Sequence, residues 1–244
     1  MNAIKGSPES KDRKTAAIAG VLYIIGTVAG ILSVVFSGSI LDGPDYLIKI
    51  SANENQIIIG ALFVLTMGLA LAMIPAVMFP VLKNHHEGLA VGYVVFRGAL
   101  ETVSYVGMTA SWFVLIALSQ EYGKAGAMDA SYFQTLGALV QKGHDSIRSI
   151  LEIVFPLGAL MFYTVLYRSK LIPQWISGWG LAAAGLWLVV GLLGVFHLIV
   201  PMSTIQLILS LPIGLQEMVM AVWMIVKGFN SSAATSVSLR RATN

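Results

Sequence analysis

Six side chains in this sequence stand where a long apolar stretch ought not to carry them: Arg97, Glu101, His144, Arg148, Glu152 and Glu217. An ionised group near the centre of a bilayer costs about 2.5 to 3.5 kcal/mol on insertion scales, so such residues must pair, hold a ligand or move protons. Arg97 and Glu101 are four apart, as are Arg148 and Glu152, which places each pair on one helix face. The surroundings repeat as well. RGALETVSYVG from Arg97 matches RSILEIVFPLG from Arg148 as Arg, two residues, Leu, Glu, one residue, Val, three residues, Gly. Each helix can pair its own charges, and antiparallel neighbours can exchange them, Arg97 with Glu152 and Arg148 with Glu101. Guanidinium groups so placed suit a carboxylate or phosphate. A carboxyl in low dielectric tends to hold a proton, which suits a relay or a general acid.

Polar stripes extend the set. Gln141, His144, Asp145, Arg148 and Glu152 recur at helical spacing, and Gln206, Ser210 and Glu217 line up in the same way. Two arginines cannot neutralise three carboxylates, which singles out Glu217. Pro156 lacks the amide that would bond the carbonyl of Glu152, and Pro212 does the same to Ile208, so freed carbonyls lie beside the charges. The bland alternative is a network that fixes helix register, with prolines serving packing alone.

Other chemistries fall away. The chain has no cysteine, hence no disulfide, thiolate nucleophile or thiolate metal site. His85, His86 and Glu87 are adjacent in a turn, whereas helical metal ligands need spacing that aims them at one point, so no metal is expected. His197 reads as an interfacial or core histidine, and Trp175 and Trp179 as headgroup anchors. Catalytic residues and cofactors stay unassigned.

The elements that position these residues follow from composition. Of 244 residues 57% are hydrophobic and only 11% charged, far more apolar surface than one water-soluble core hides. Apolar runs of about twenty residues cross roughly 30 Å of hydrocarbon as helices. The expected fold is all-α, a polytopic bundle of six spans at about 15–36, 56–82, 89–118, 144–167, 176–200 and 204–226. Residues 1–14 and 229–244 read as disordered tails, and 129–142 as a short interfacial helix before span four. Gly26 and Gly30, and Gly88 and Gly92, have helix-packing spacing.

Alternate loops divide the basic residues. Lys5, Lys11, Arg13, Lys14, Lys83, Arg168, Lys170, Lys227, Arg240 and Arg241 fall on one side, and Lys49, Lys124 and Lys142 on the other. The richer side is cytoplasmic, so both ends are expected inside. The net charge of +3 reflects that bias and argues for no nucleic-acid partner.

The chain also resembles a bacterial family of integral membrane proteins, the DUF4386-like family, from about Arg13 to Asn230. RKTAAIAGVLYIIGTVAG, GLAVGYVVFRGALE and YRSKLIPQWISGWG carry the likeness. The resemblance implies a multi-pass protein of the bacterial cytoplasmic membrane with a basic N-terminal anchor, and it implies no reaction. Three readings of the buried charges stand open. The first is a site that binds or moves a small amphipathic molecule or ion. The second is an intramembrane enzyme acting on a lipid or isoprenoid, with Glu152 or Glu217 as general acid. The third is a partner subunit whose charges lock its packing. Membrane lipids are the expected partners, with oligomeric state unassigned.

Overall fold

The computed structural model describes residues 8–124, 130–199 and 203–230. The parts of the expected tails at 1–7 and 231–244 lie outside the described residues. Every regular element described is helical: α1 (Pro8–Leu41), α2 (Tyr46–Ala52), α3 (Glu54–Leu82), α4 (Glu87–Tyr93), a π-helical stretch (Val94–Leu100), α5 (Glu101–Lys124), α6 (Ala130–Ser169), α7 (Gln174–Val195) and α8 (Thr204–Val226). Among them are six stretches long and apolar enough to cross a bilayer, α4 through α5 forming one of them. The protein is a multi-pass helical membrane protein.

Several boundaries differ from the sequence expectation. Residues 8–14 are helical, not a tail: Pro8 occupies the first turn, where its missing amide costs nothing, and α1 runs on from it. Asn230 is likewise held, its N–H donating to the Leu171 carbonyl (2.8 Å) and its side-chain amide to that of Lys170 (2.6 Å). The stretch 129–142 forms no separate interfacial helix, because from Ala130 it is the start of α6, a single helix of 40 residues. No proline falls before Pro156, and the first turns of α6 are anchored sideways. Gln141 donates to the Leu41 carbonyl (3.3 Å), and Gly137 lies under the Tyr46 hydroxyl with no room for a side chain. Span five ends at Val195, not 200, as His197 takes a left-handed conformation (φ 58°) and its N–H bonds the Gly194 carbonyl.

The helices turn apolar faces outward, and the polar residues they bury lie within a mainly apolar interior. On α1, Ile18, Val21, Ile25, Val28 and Ile31 are exposed at helical spacing, and on α8 so are Ile208, Leu211, Leu215 and Val222. These faces meet lipid. The opposite face of α8 buries Gln206, Gln216, Met220 and Met224. A polar group in hydrocarbon finds no water, so such residues turn to neighbouring helices.

The chain divides into two compact units, 1–24 with 71–100 and 152–244, and 25–70 with 101–151. In the first, α7 packs on α8, and buried Tyr23, Tyr93, Phe162 and Tyr163 form an aromatic core. Tyr93 and Phe162 stack at 4.6 Å. In the second, α2 packs on α5 around Tyr46, Ile50, Trp112 and Leu115. Gly68 there receives the Tyr105 side chain, and Gly60 lies against Ser33, Ser37 and Trp112. These glycines let helices approach closely.

Candidate functional site

Arg97 lies on the π-helical stretch, a wider winding that recurs at functional positions of helices. Two neighbours hold this stretch. The Pro75 ring of α3 covers Gly98, and Gly158 of α6 abuts the Arg97 backbone, where an added methyl would sit 3.2 Å from the amide nitrogen. The Arg97 side chain is 3% exposed, and its Nη2 donates to Oε1 of Glu217 at 3.2 Å; Glu217 keeps 15% exposure. The guanidinium also faces the rings of Phe155 at 4.7 Å and Tyr23 at 5.7 Å. Its flat, weakly hydrated cation suits such company.

Hydroxyls and amides complete the surroundings. The hydroxyls of Tyr23 and Tyr93 meet at 3.4 Å. Tyr163 donates to Oε1 of Gln216 at 2.6 Å, and the Gln216 amide donates to the Ile176 carbonyl at 3.0 Å. Glu217 is thus an ionisable residue on an α8 whose remaining inward polar groups are uncharged.

Further along the same unit, Glu152 is 8% exposed and accepts from the Gln206 amide at 2.7 Å. Ser203, the N-cap of α8, accepts from the Gln206 backbone N–H at 3.3 Å and so fixes its approach. The Glu152 carbonyl, released by Pro156, rests against Gly191 of α7, where a methyl would lie 2.5 Å from the oxygen. The freed carbonyl is therefore covered by a glycine backbone.

The second unit holds Glu101, His144 and Arg148. Glu101 is 1% exposed and accepts from the Tyr105 hydroxyl one turn along, at 3.2 Å. His144 Nδ1 lies 2.8 Å from Ser111 Oγ, and its ring stacks on Trp112 at 5.7 Å. Arg148 is half-buried. The structure thus brings Arg97 and Glu217 into direct contact and sets Glu152 beside Gln206, while His144 joins span three through Ser111.

The cluster at the α3–α4 turn is spent on structure. His86 Nδ1 accepts from the Leu89 N–H at 3.2 Å as the N-cap of α4. Burial pushes the His85 imidazole below its ordinary pKa, an effect that the nearby Asp12 carboxylate opposes. Among the described residues no three His, Asp or Glu side chains converge to hold a metal.

Sequence reasoning does not single out Tyr23, Tyr93, Phe155 or Tyr163, which enclose Arg97. A partial signal exists: tyrosines normally gather at the interfaces, and Tyr23 sits among apolar residues well inside its span. The aromatic and amide partners mark where buried charge must be met.

Fold and site together define a polytopic helical membrane protein with an ion pair buried between its third and sixth spans. Residues 18–228 match the family described as a domain of unknown function, DUF4386, and the chain belongs to that family. No curated protein and no solved structure gives a significant match.

Proposed function

We propose that this protein, in the cytoplasmic membrane with both ends inside, binds or moves a small amphipathic molecule or ion at the Arg97–Glu217 pair. The observation that carries this is the inequality of the partners. Arg97 is nearly sealed on a π-helical stretch, whereas Glu217 keeps 15% exposure, so one side of the pair stays approachable. Ten of the basic residues outside the spans lie on the side of the two ends, which supports the orientation.

The test is native mass spectrometry of the protein extracted with its lipids. A retained mass that disappears in Arg97→Gln supports the binding role. A packing lock is the second reading, favoured by the direct 3.2 Å contact and by the rings over the guanidinium. No retained molecule in any preparation, with a large loss of thermal stability in Arg97→Gln, would assign the pair to packing.

A further inference from the structure

We infer that the corner between α6 and α7 is a binding site for an anionic phospholipid whose headgroup carries two phosphates, seated on Arg13, Arg168, Lys170 and Lys227 with an acyl chain along α7. The site is separate from the Arg97–Glu217 pair and goes beyond the function proposed for that pair.

The four cations come from three parts of the chain, and specific contacts gather them. Asn230 bonds the carbonyls of Lys170 and Leu171, at 2.6 and 2.8 Å. Three residues of chain span at most about 11 Å, so Lys227, at the end of α8, is held beside the corner. Gly228 turns in the left-handed region (φ 73°), and Arg13 of α1 rests on it: a methyl there would lie 3.5 Å from the arginine Cγ. All four cations are exposed, and among the described residues none has an ion-pair partner. Asp12, next to Arg13, is half-buried and interacts with His85 of the α3–α4 turn.

Lys170 carries its charge at a backbone cost. Its conformation is left-handed (φ 56°), a geometry that glycine takes freely and a β-carbon disfavours. The chain uses glycine for the same turn at Gly228 but keeps a lysine at the corner. Like charges so gathered repel one another, and an anion shared among them relieves the repulsion. A phosphodiester carries one negative charge, so a headgroup with two phosphates offers one to each pair of cations, and guanidinium meets phosphate with paired N–H donors.

The corner also has a place for the lipid's apolar part. Tyr167 and Trp175 are 41% and 59% exposed. The Tyr167 ring lies on Gly178, three residues from Trp175 and so on the same face of α7. That face continues through Ala182 and Gly185 to the exposed Leu186 and Val189, and among the described residues no neighbour lies within 4 Å of a methyl added at Gly185. Small residues between the rings and the branched side chains leave a shallow trough. It runs from the cations and aromatic rings of the headgroup level into the hydrocarbon, as an acyl chain does.

The experiment uses the full chain, stripped of lipid in an uncharged detergent, and native mass spectrometry of bound cardiolipin, of phosphatidylglycerol at twice the molar amount, and of phosphatidylcholine. Cardiolipin should be retained as a single molecule, ahead of phosphatidylglycerol and far ahead of phosphatidylcholine. Each cation removed should weaken retention about fivefold, so Arg168→Gln combined with Lys170→Gln should weaken it about thirtyfold. Should that double variant not fold, Lys227→Gln decides with its single fivefold loss. Ala182→Phe, which fills the trough, should weaken retention with all four cations in place. Lys142→Gln, in the other unit, and Arg97→Gln should leave it unchanged, which keeps this outcome apart from that of the buried pair. Equal retention of phosphatidylglycerol and cardiolipin, unchanged retention in the cation variants or in Ala182→Phe, or displacement of cardiolipin by equimolar inorganic pyrophosphate overturns the inference.

Discussion

The two crossings that begin at Arg97 and at Arg148 share one residue pattern and differ, among other positions, at its ninth residue, where one has Tyr105 and the other Pro156. Their glycines do equivalent work. Gly158 rests against Phe96, the residue before Arg97, and Gly107 rests against Ile147, the residue before Arg148. Each crossing therefore sets the glycine of one helix on the other helix just ahead of its arginine, the same contact made once in each unit. The polar partners differ. Tyr105 turns its hydroxyl back onto Glu101 within the same helix, whereas Pro156 offers no donor and Glu152 reaches Gln206 on α8. Arg97 has Glu217 of α8 as a partner, so in the first unit the pattern draws in the last helix. A repeated motif thus supplies a scaffold twice, while Glu101 has a donor within its own helix and Glu152 has one on another span.

Removing the arginines should separate the crossings most. Arg97→Ala removes the cation that Glu217 pairs with, and breaking a buried pair from one side costs on the order of 3 kcal/mol. Arg148→Ala removes a half-buried charge that water or headgroups can reach, and should cost under about 1 kcal/mol. Thermal melts in one detergent compare them directly. Equal losses would show that the second crossing leans on its arginine as heavily as the first, and the comparison would fail at its strongest point.

The glycines offer a smaller and sharper contrast. A methyl at Gly191 meets the Glu152 carbonyl oxygen at 2.5 Å, and backbone cannot yield without moving two helices; a loss of about 1 to 3 kcal/mol is expected for Gly191→Ala. A methyl at Gly107 meets the Cδ1 end of Ile147 at 3.1 Å, which a change of rotamer relieves, so Gly107→Ala should fall below about 1 kcal/mol. Chemical denaturation in mixed micelles measures both. A tolerant Gly191 would mean that the freed carbonyl is not held where the structure has it.

The spans and the buried acids were legible because hydrocarbon imposes them locally: a run of about twenty apolar residues and a charge inside it need no tertiary knowledge to be noticed. Pairing was not, because Glu217 and Arg97 stand 120 positions apart and several arrangements satisfy the same charges. The π-helical winding at Val94–Leu100 was hidden for a related reason, since Gly98 hints at close packing but only the Pro75 ring and Gly158 show what presses there. Amphipathic spacing at 129–142 reads as a surface helix because periodicity describes a face and not what covers it. Tyr46 and Leu41, which meet that face at Gly137 and Gln141, are distant in sequence.

The smallest effects test the divergence itself. Tyr105→Phe removes one hydroxyl that donates to Glu101, and the net worth of such a bond is about 1 kcal/mol. Its counterpart, Pro156→Ala, returns an amide to the helix and with it a donor for the Glu152 carbonyl. The carbonyl already lies against Gly191, so the new bond competes with an existing contact and the change should stay within about 1 kcal/mol of neutral. Infrared difference spectra of the two variants read the carboxyl and amide bands directly. Tyr105→Phe should shift a carboxyl band and leave the amide bands, and Pro156→Ala should do the reverse. A carboxyl shift in Pro156→Ala would mean that the proline steers the Glu152 side chain toward Gln206, making the ninth position the determinant of the acid's partner and not merely of its backbone.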